Sequence, residues 1–203
     1  MSQPLPSHRL KRAKRALRRE VLARRRALTP HERATRSVAI ADRLLALPEL
    51  RRAGTVMAFW SFGSEVDTAP ILERLESDGV RIALPRLEHG EIVAVAFRRG
   101  DPTIETSFGA QEPAEGVTLA AEEIDVVVAP GVAFDRGGFR VGYGGGFYDR
   151  FFRLVRRDAF RVGIGFALQV VDDMPHGRVD VPVDAVVTEG ETIRCARARP
   201  EGS

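Results

Sequence analysis

The stretch DVVVAPGVAFDRGGFRVGYGGGFYDR, residues 125–150, decides the fold. Asp125–Ala129 ends in an unbroken apolar run of strand length, the pattern of a strand buried on both faces. Seven glycines then fall within Pro130–Asp149, which makes Pro130–Gly146 a glycine-rich loop. Beyond it, Phe147–Arg157 is expected to be a helix. A buried strand joined to a helix by such a loop is a building unit of an α/β sheet.

Working outward, further strands are expected at Thr55–Ser61, Val80–Leu84, Ile92–Phe97, Arg161–Phe166 and Ala185–Thr188. Asp67 or Thr68 is placed to cap a helix that carries Ile71, Leu72 and Leu75 inward and stops before Gly79. Pro102–Glu122 has little periodicity and reads as a long loop. Two helices come first. Leu10, Ala13, Leu17 and Val21 recur at helical spacing from Leu10 to Ala27, with arginines on the other faces. Thr29-Pro30-His31-Glu32 then combines an N-cap, a proline at the first helical position and a capping-box glutamate. This second helix ends near Pro48. Strands alternating with helices predict an α/β fold: a single-domain sheet of mixed, mostly parallel strands flanked by helices, with an N-terminal helical pair. The helical pair covers about 8–46 and the α/β body about 54–195 of a domain spanning 1–203.

Composition narrows the function. No apolar run approaches the ~20 residues that a membrane-spanning helix needs, and Met1–Arg12 has no secretory pattern. The single Cys195 has no internal disulfide partner, which fits a reducing, cytoplasmic setting. The four histidines, His8, His31, His89 and His176, show no metal-ligand spacing and read as surface residues. Charge is divided unevenly: residues 1–36 hold 12 Lys and Arg against 2 Glu, a formal +10, and the remainder carries −7. A basic segment on an acidic body invites a nucleic-acid reading. Compositional bias is the competing one, since 29 of the 31 basic residues are arginine. Residues 1–36 also lack the interleaved aromatics on which single-stranded bases stack.

The glycine-rich loop has two readings, an anion or nucleotide loop and a turn-rich surface loop. For the first, glycines let the backbone approach a ligand and aim successive N–H groups at it, and a helix N-terminus adds partial positive charge. Arg136, Arg140 and Arg150 flank the loop, and guanidinium groups suit phosphate oxygens. Asp149 serves either as a helix-start charge or as a ligand for Mg²⁺ bridging phosphates. No Gly-Lys-Ser/Thr follows, so this is not a Walker A loop, and Phe147 stands where the dinucleotide pattern needs its third glycine.

The run PGVAFDRGGFRVGYGGGFYDR resembles the signature of the 5-formyltetrahydrofolate cyclo-ligase family. Other pieces resemble the family in order: Lys14-Arg15-Ala16-Leu17-Arg18, Glu65-Val66-Asp67-Thr68, Phe108-Gly109-Ala110-Gln111-Glu112-Pro113, then Gln169, Asp180 and Thr188-Glu189. The resemblance implies ATP-dependent cyclisation of 5-formyltetrahydrofolate to 5,10-methenyltetrahydrofolate, with ADP and phosphate released through a phosphorylated formyl intermediate. It implies that the partners are a reduced folate and ATP; a monomer is expected, with no membrane partner and nucleic acid not expected. By position, Arg140 and Lys14 would be catalytic. Lys14, Arg18, Arg140, Gly142, Tyr143, Gly144, Gly145, Gly146, Phe147 and Tyr148 would bind ATP. Trp60 and Glu65 would contact the folate, and Asp149 and Asp180 would hold Mg²⁺. The chain departs from the family pattern at Gly177 and Val179, where the family commonly has Glu and His, so contacts around Asp180 are expected to differ. A nucleic-acid-binding protein and an ATP-dependent relative with another small substrate are the alternatives.

Overall fold

The structure, a computed structural model, describes residues 7–106 and 109–196. Phe108 of the Phe108–Pro113 element and the extremities of the 1–203 span lie outside these residues. In chain order the helices α1 (Ser7–Arg26), α2 (Pro30–Leu45) and α3 (Pro48–Arg51) precede strand β1 (Thr55–Met57), helix α4 (Ala69–Ser77) and strands β2 (Arg81–Glu88) and β3 (Glu91–Phe97). Three short strands follow, β4 (Thr103–Glu105), β5 (Gln111–Pro113) and β6 (Thr118–Leu119). Then come β7 (Val126–Ala129), β8 (Ala133–Asp135), β9 (Arg140–Val141), helix α5 (Phe147–Phe151) and β10 (Phe160–Ile164). β11 (Val170–Val171), β12 (Ala185–Val187) and β13 (Thr192–Arg194) complete the order.

Eight strands form the central sheet in the order β13-β12-β10-β7-β1-β2-β3-β6. The five from β12 to β2 are parallel, and β13, β3 and β6 add antiparallel edges. Alternate residues of the parallel strands face opposite ways. Val56, Val126, Val128, Val162 and Val187 pack with Ile40, Leu44, Ile71 and Leu75 of α2 and α4. Met57, Val127, Ala129 and Val186 face Phe151, Phe152 and Ile193. Both faces are covered, which is why these strands read as unbroken apolar runs rather than alternating ones. The α/β architecture, mostly parallel with an N-terminal helical pair, is as expected.

The capping box at Thr29 and Glu32 is present, with both reciprocal hydrogen bonds formed. Several boundaries differ from expectation, each for a local reason. β1 stops at Met57 rather than Ser61, because a clasp between Ser61 and Thr68 bends the chain away: Ser61 N donates to Thr68 Oγ1 at 3.0 Å and Thr68 N to Ser61 Oγ at 3.1 Å. Thr68 is thereby used up, and Asp67 caps α4 through the Ala69 N–H. β2 runs past Pro85 to Glu88. Its pairing with β1 ends at Ala83, so the missing proline N–H falls where β2 has no strand hydrogen-bonded on its β1 side among the described residues. The expected loop at 102–122 contains three short strands, and the glycine-rich loop contains the β8–β9 hairpin, which joins β11 in a separate three-stranded sheet. α5 ends at Phe151 rather than Arg157, since Arg153 N and Leu154 N bond three residues back instead of four.

α1 lays its apolar stripe on this small sheet rather than on the central one. Val21 is fully buried among Val132, Ala133, Val141 and Met174, with Leu17 at the edge. No helix among the described residues is long and apolar enough to cross a membrane.

Candidate active site

β1 and β7 lie side by side and parallel, yet the next parallel strand after β1 is β2, on its other flank. The strand order therefore reverses between them, and the loops leaving Met57 and Ala129 open a crevice at the carboxyl ends of the strands, the usual place for ligands in such sheets. The loop after β1 carries Glu65. The loop after β7 is the glycine-rich one, anchored at its start by Gln169, a buried side chain that donates to the Gly131 and Val132 carbonyls at 2.8 and 3.0 Å.

α1 forms the third wall. Lys14, Arg18, Val21 and Arg25 succeed one another at intervals of four, three and four residues and so share one face. Lys14 Nζ lies 2.6 Å from both carboxylate oxygens of Asp180. Arg18 Nε donates to the Gly142 carbonyl at 2.7 Å, and burial together with Arg15 lowers its pKa. Of the two cations expected at phosphates, Lys14 is thus held by a carboxylate and Arg18 touches the loop backbone.

Within the loop, Gly144 and Gly146 take left-handed φ values of 113° and 67°, which a side chain would strain. α5 is little more than one turn, so its N-terminus adds less positive potential than the expected longer helix. The flanking arginines separate. Arg136 pairs with Glu191 at 2.7 Å on the surface. Arg150 bonds the Gly145 and Gly90 carbonyls and pairs with Glu91, lashing the loop to the β2–β3 turn. Arg140 is buried, its guanidinium 4.9 Å from the Phe152 ring and 5.5 Å from that of Tyr148. Its Nη2 stands 3.4 Å from Asp149 Oδ1, but neither Nη2 nor Nε makes a hydrogen bond. Burial lowers its pKa, against the pull of Asp149, Tyr148 and Asp180. The Tyr148 hydroxyl is likewise buried and unbonded, and burial raises its pKa.

Asp149 Oδ1 accepts the Val181 N–H at 3.0 Å, which brings it beside the Asp180 segment. Asp180 Oδ2 also accepts the Gly177 N–H at 2.6 Å. Among the described residues no group of three or more Asp, Glu, His or Cys is arranged to hold a metal. Two carboxylates are nevertheless a suitable hard-oxygen donor set for a Mg²⁺ that arrives on phosphates and keeps its waters. At Gly177 a Cβ would lie 2.9 Å from Leu10 Cδ2, the end of a flexible side chain that can give way. Val179 is exposed and contributes its carbonyl to Arg153.

On the other side of the crevice, Glu65 is 8% exposed, and burial pushes its pKa up to about 7 against the pull of the Phe62 N–H, Arg25 and Tyr143. It borders a cleft of about 270 Å³ lined also by Arg33, Ser37, Phe62 and Gly63. Trp60 does not line that cleft; it packs edge-on to Phe97 against the main core. Tyr143 connects the two sides, its hydroxyl 3.3 Å from Glu65 Oε1 and 2.9 Å from Arg25 Nη2. Arg25 was not singled out from the sequence. The available signal is its position seven residues after Arg18, on the face of α1 that carries Lys14 and Arg18.

Residues 10–189 match the 5-formyltetrahydrofolate cyclo-ligase family. The chain belongs to this family. It is 35% identical over 171 residues to the 5-formyltetrahydrofolate cyclo-ligase of Escherichia coli K12, covering 81% of this chain and 94% of that one. It is 30% identical over 194 residues to that of Mycolicibacterium smegmatis, covering 92% and 98%. The fold is similar to that of Aquifex aeolicus 5,10-methenyltetrahydrofolate synthetase, with a TM-score of 0.81, 32% identity, and 94% and 96% of the two chains covered. The cyclo-ligase family match takes in α1 from Leu10 and ends at Glu189, so all three walls of the crevice fall within it.

Proposed function

We propose that the crevice converts 5-formyltetrahydrofolate and ATP to 5,10-methenyltetrahydrofolate, ADP and phosphate. The observation that carries this reading is the buried Arg140 guanidinium with two N–H-bearing nitrogens unbonded at the glycine-rich loop. A sequestered guanidinium with spare donors is complementary to phosphate oxygens. Arg140 and Arg18, with Lys14 once it leaves Asp180, would neutralise the triphosphate, while Gly142–Tyr148 would wrap it. Asp149 and Asp180 would hold Mg²⁺, whose chemistry is to offset charge on the phosphates.

A formyl amide oxygen is a poor leaving group. Transfer of the γ-phosphoryl group to it breaks the bond between γ-phosphorus and the bridging oxygen, releases ADP and leaves an iminium phosphate. The neighbouring folate nitrogen then attacks the formyl carbon, its proton is lost, and the C–O bond breaks to release phosphate. Such transfer needs positioning and charge neutralisation more than a protein nucleophile. Arg140, Arg18 and Lys14 would supply both, and no Ser-His-Asp set is required. Glu65, at the edge of the cleft, would accept hydrogen bonds from the pterin ring, and Trp60 would back that wall from the core. Cys195, whose thiol burial pushes its pKa up to about 11, has no part in these steps.

The test is methenyl absorbance on mixing the protein with 5-formyltetrahydrofolate, ATP and Mg²⁺. Product formation that requires all three is the expected result; no product from folded protein overturns the reading.

A further inference from the structure

Arg25 is only 2% exposed in the last turn of α1, and its contacts are hydroxyl groups rather than a directly paired carboxylate. Nε donates to Ser64 Oγ at 3.0 Å and Nη2 to Tyr143 OH at 2.9 Å. A tyrosine hydroxyl has one proton to give, and with Arg25 donating to it, that proton goes to Glu65 Oε1, 3.3 Å away. The other oxygen of Glu65 accepts the Phe62 N–H at 3.2 Å, and the Phe62 ring lies against that of Tyr143 with centroids 5.5 Å apart. One guanidinium therefore grips the glycine-rich loop at Tyr143 and the opposite loop at Ser64, and through Tyr143 orients the carboxylate at Glu65. Taking so large a cation out of water is expensive unless its donors are satisfied. A movement of Tyr143 breaks the bonds to both Arg25 and Glu65.

We propose that Arg25 is a positioning residue that couples the two halves of the crevice, so that a nucleotide ordering the glycine-rich loop sets Glu65 for the folate, and the reverse. This rests on reading the loop as the nucleotide site and Glu65 as the folate contact. Coupling between two binding sites is reciprocal: each ligand must raise the affinity of the other by the same factor.

The test is calorimetric titration of the full chain with a non-hydrolysable ATP analogue and Mg²⁺, with and without 5-formyltetrahydrofolate. Wild type is expected to bind the analogue at least about fivefold more tightly when the folate is present. In Arg25→Lys and Tyr143→Phe that ratio is expected to fall toward one, with KM for each substrate rising more than kcat falls. Tyr143→Phe removes a single oxygen from a half-exposed side chain, so it remains informative if Arg25→Lys folds poorly. A purely structural role would lower the melting temperature and leave the ratio unchanged. An unchanged ratio in Tyr143→Phe, or a wild-type ratio of one, overturns the coupling while methenyl formation by wild type still stands. Absence of methenyl formation overturns the site assignment itself and the coupling with it.

Discussion

A carboxyl group sealed from water keeps its proton to higher pH, and Glu65 is such a group, its pKa raised by burial to about 7. The folded state then binds a proton that the unfolded chain has already lost. This contribution is fully present below the unfolded value of 4.5 and is lost as pH rises through about 7. Glu65→Gln should remove it. The stability difference, variant minus wild type, is expected to grow by up to about 3 kcal/mol between the two pH values, measured by urea unfolding at pH 5 and pH 7.5. At Arg140 the packing matters as well as the charge. Arg140→Ala would open space beside Phe152 and Tyr148, so Arg140→Lys is the cleaner variant: kcat is expected to fall on the order of 100-fold with the circular dichroism spectrum unchanged. Glu65 was legible only because the residues around it resemble a family pattern, whereas Arg140 also stood out as one of three arginines flanking the glycine-rich loop. Arg25 was one arginine in a crowd, and its burial comes from two distant loops closing over it, which helical spacing alone does not encode.

Elements were legible where one periodicity runs long enough to dominate. α2 was readable from its cap, its proline and its apolar stripe, and β7 from its unbroken valines. β4, β5 and β6 were not, since strands of two or three residues are too short to display an alternation. α5 was over-read because Phe151, Phe152 and Val155 are all buried at helical spacing, yet the chain tightens into three-residue turns after Phe151. The β8–β9 hairpin was hidden by its glycines, which read as loop. Its turn contains Gly138, with φ 88° and a would-be Cβ only 2.4 Å from the Val183 carbonyl oxygen. Gly138→Ala is therefore expected to destabilise the protein by roughly 1–3 kcal/mol in thermal melts. Gly142→Ala, with no atom within 4 Å of its would-be Cβ, should leave the melting temperature within a degree or two.

Across the whole molecule, alternating strands and helices announced an α/β sheet, but the crevice depends on which strand occupies the centre. That choice is made by pairings such as Val56 with Val126, contacts too far apart in the chain to be marked by local spacing. The basic N-terminal segment also changes meaning at this scale, because Lys14, Arg18 and Arg25 turn inward to the crevice. The pair between Lys14 and Asp180 joins the two ends of the chain, and both side chains are largely buried. A double-mutant cycle of Lys14→Met and Asp180→Asn should return a coupling of about 0.5–3 kcal/mol in chemical denaturation. That pairing spans 166 residues, which has a consequence for synthesis on the ribosome. At about 5–20 residues per second, translation takes on the order of 10–30 s to pass from Lys14 to Asp180. During much of that interval α1 is outside without the hairpin that covers its apolar stripe. A newly made chain thus carries this cationic segment, with its apolar stripe uncovered, well before it can become an enzyme.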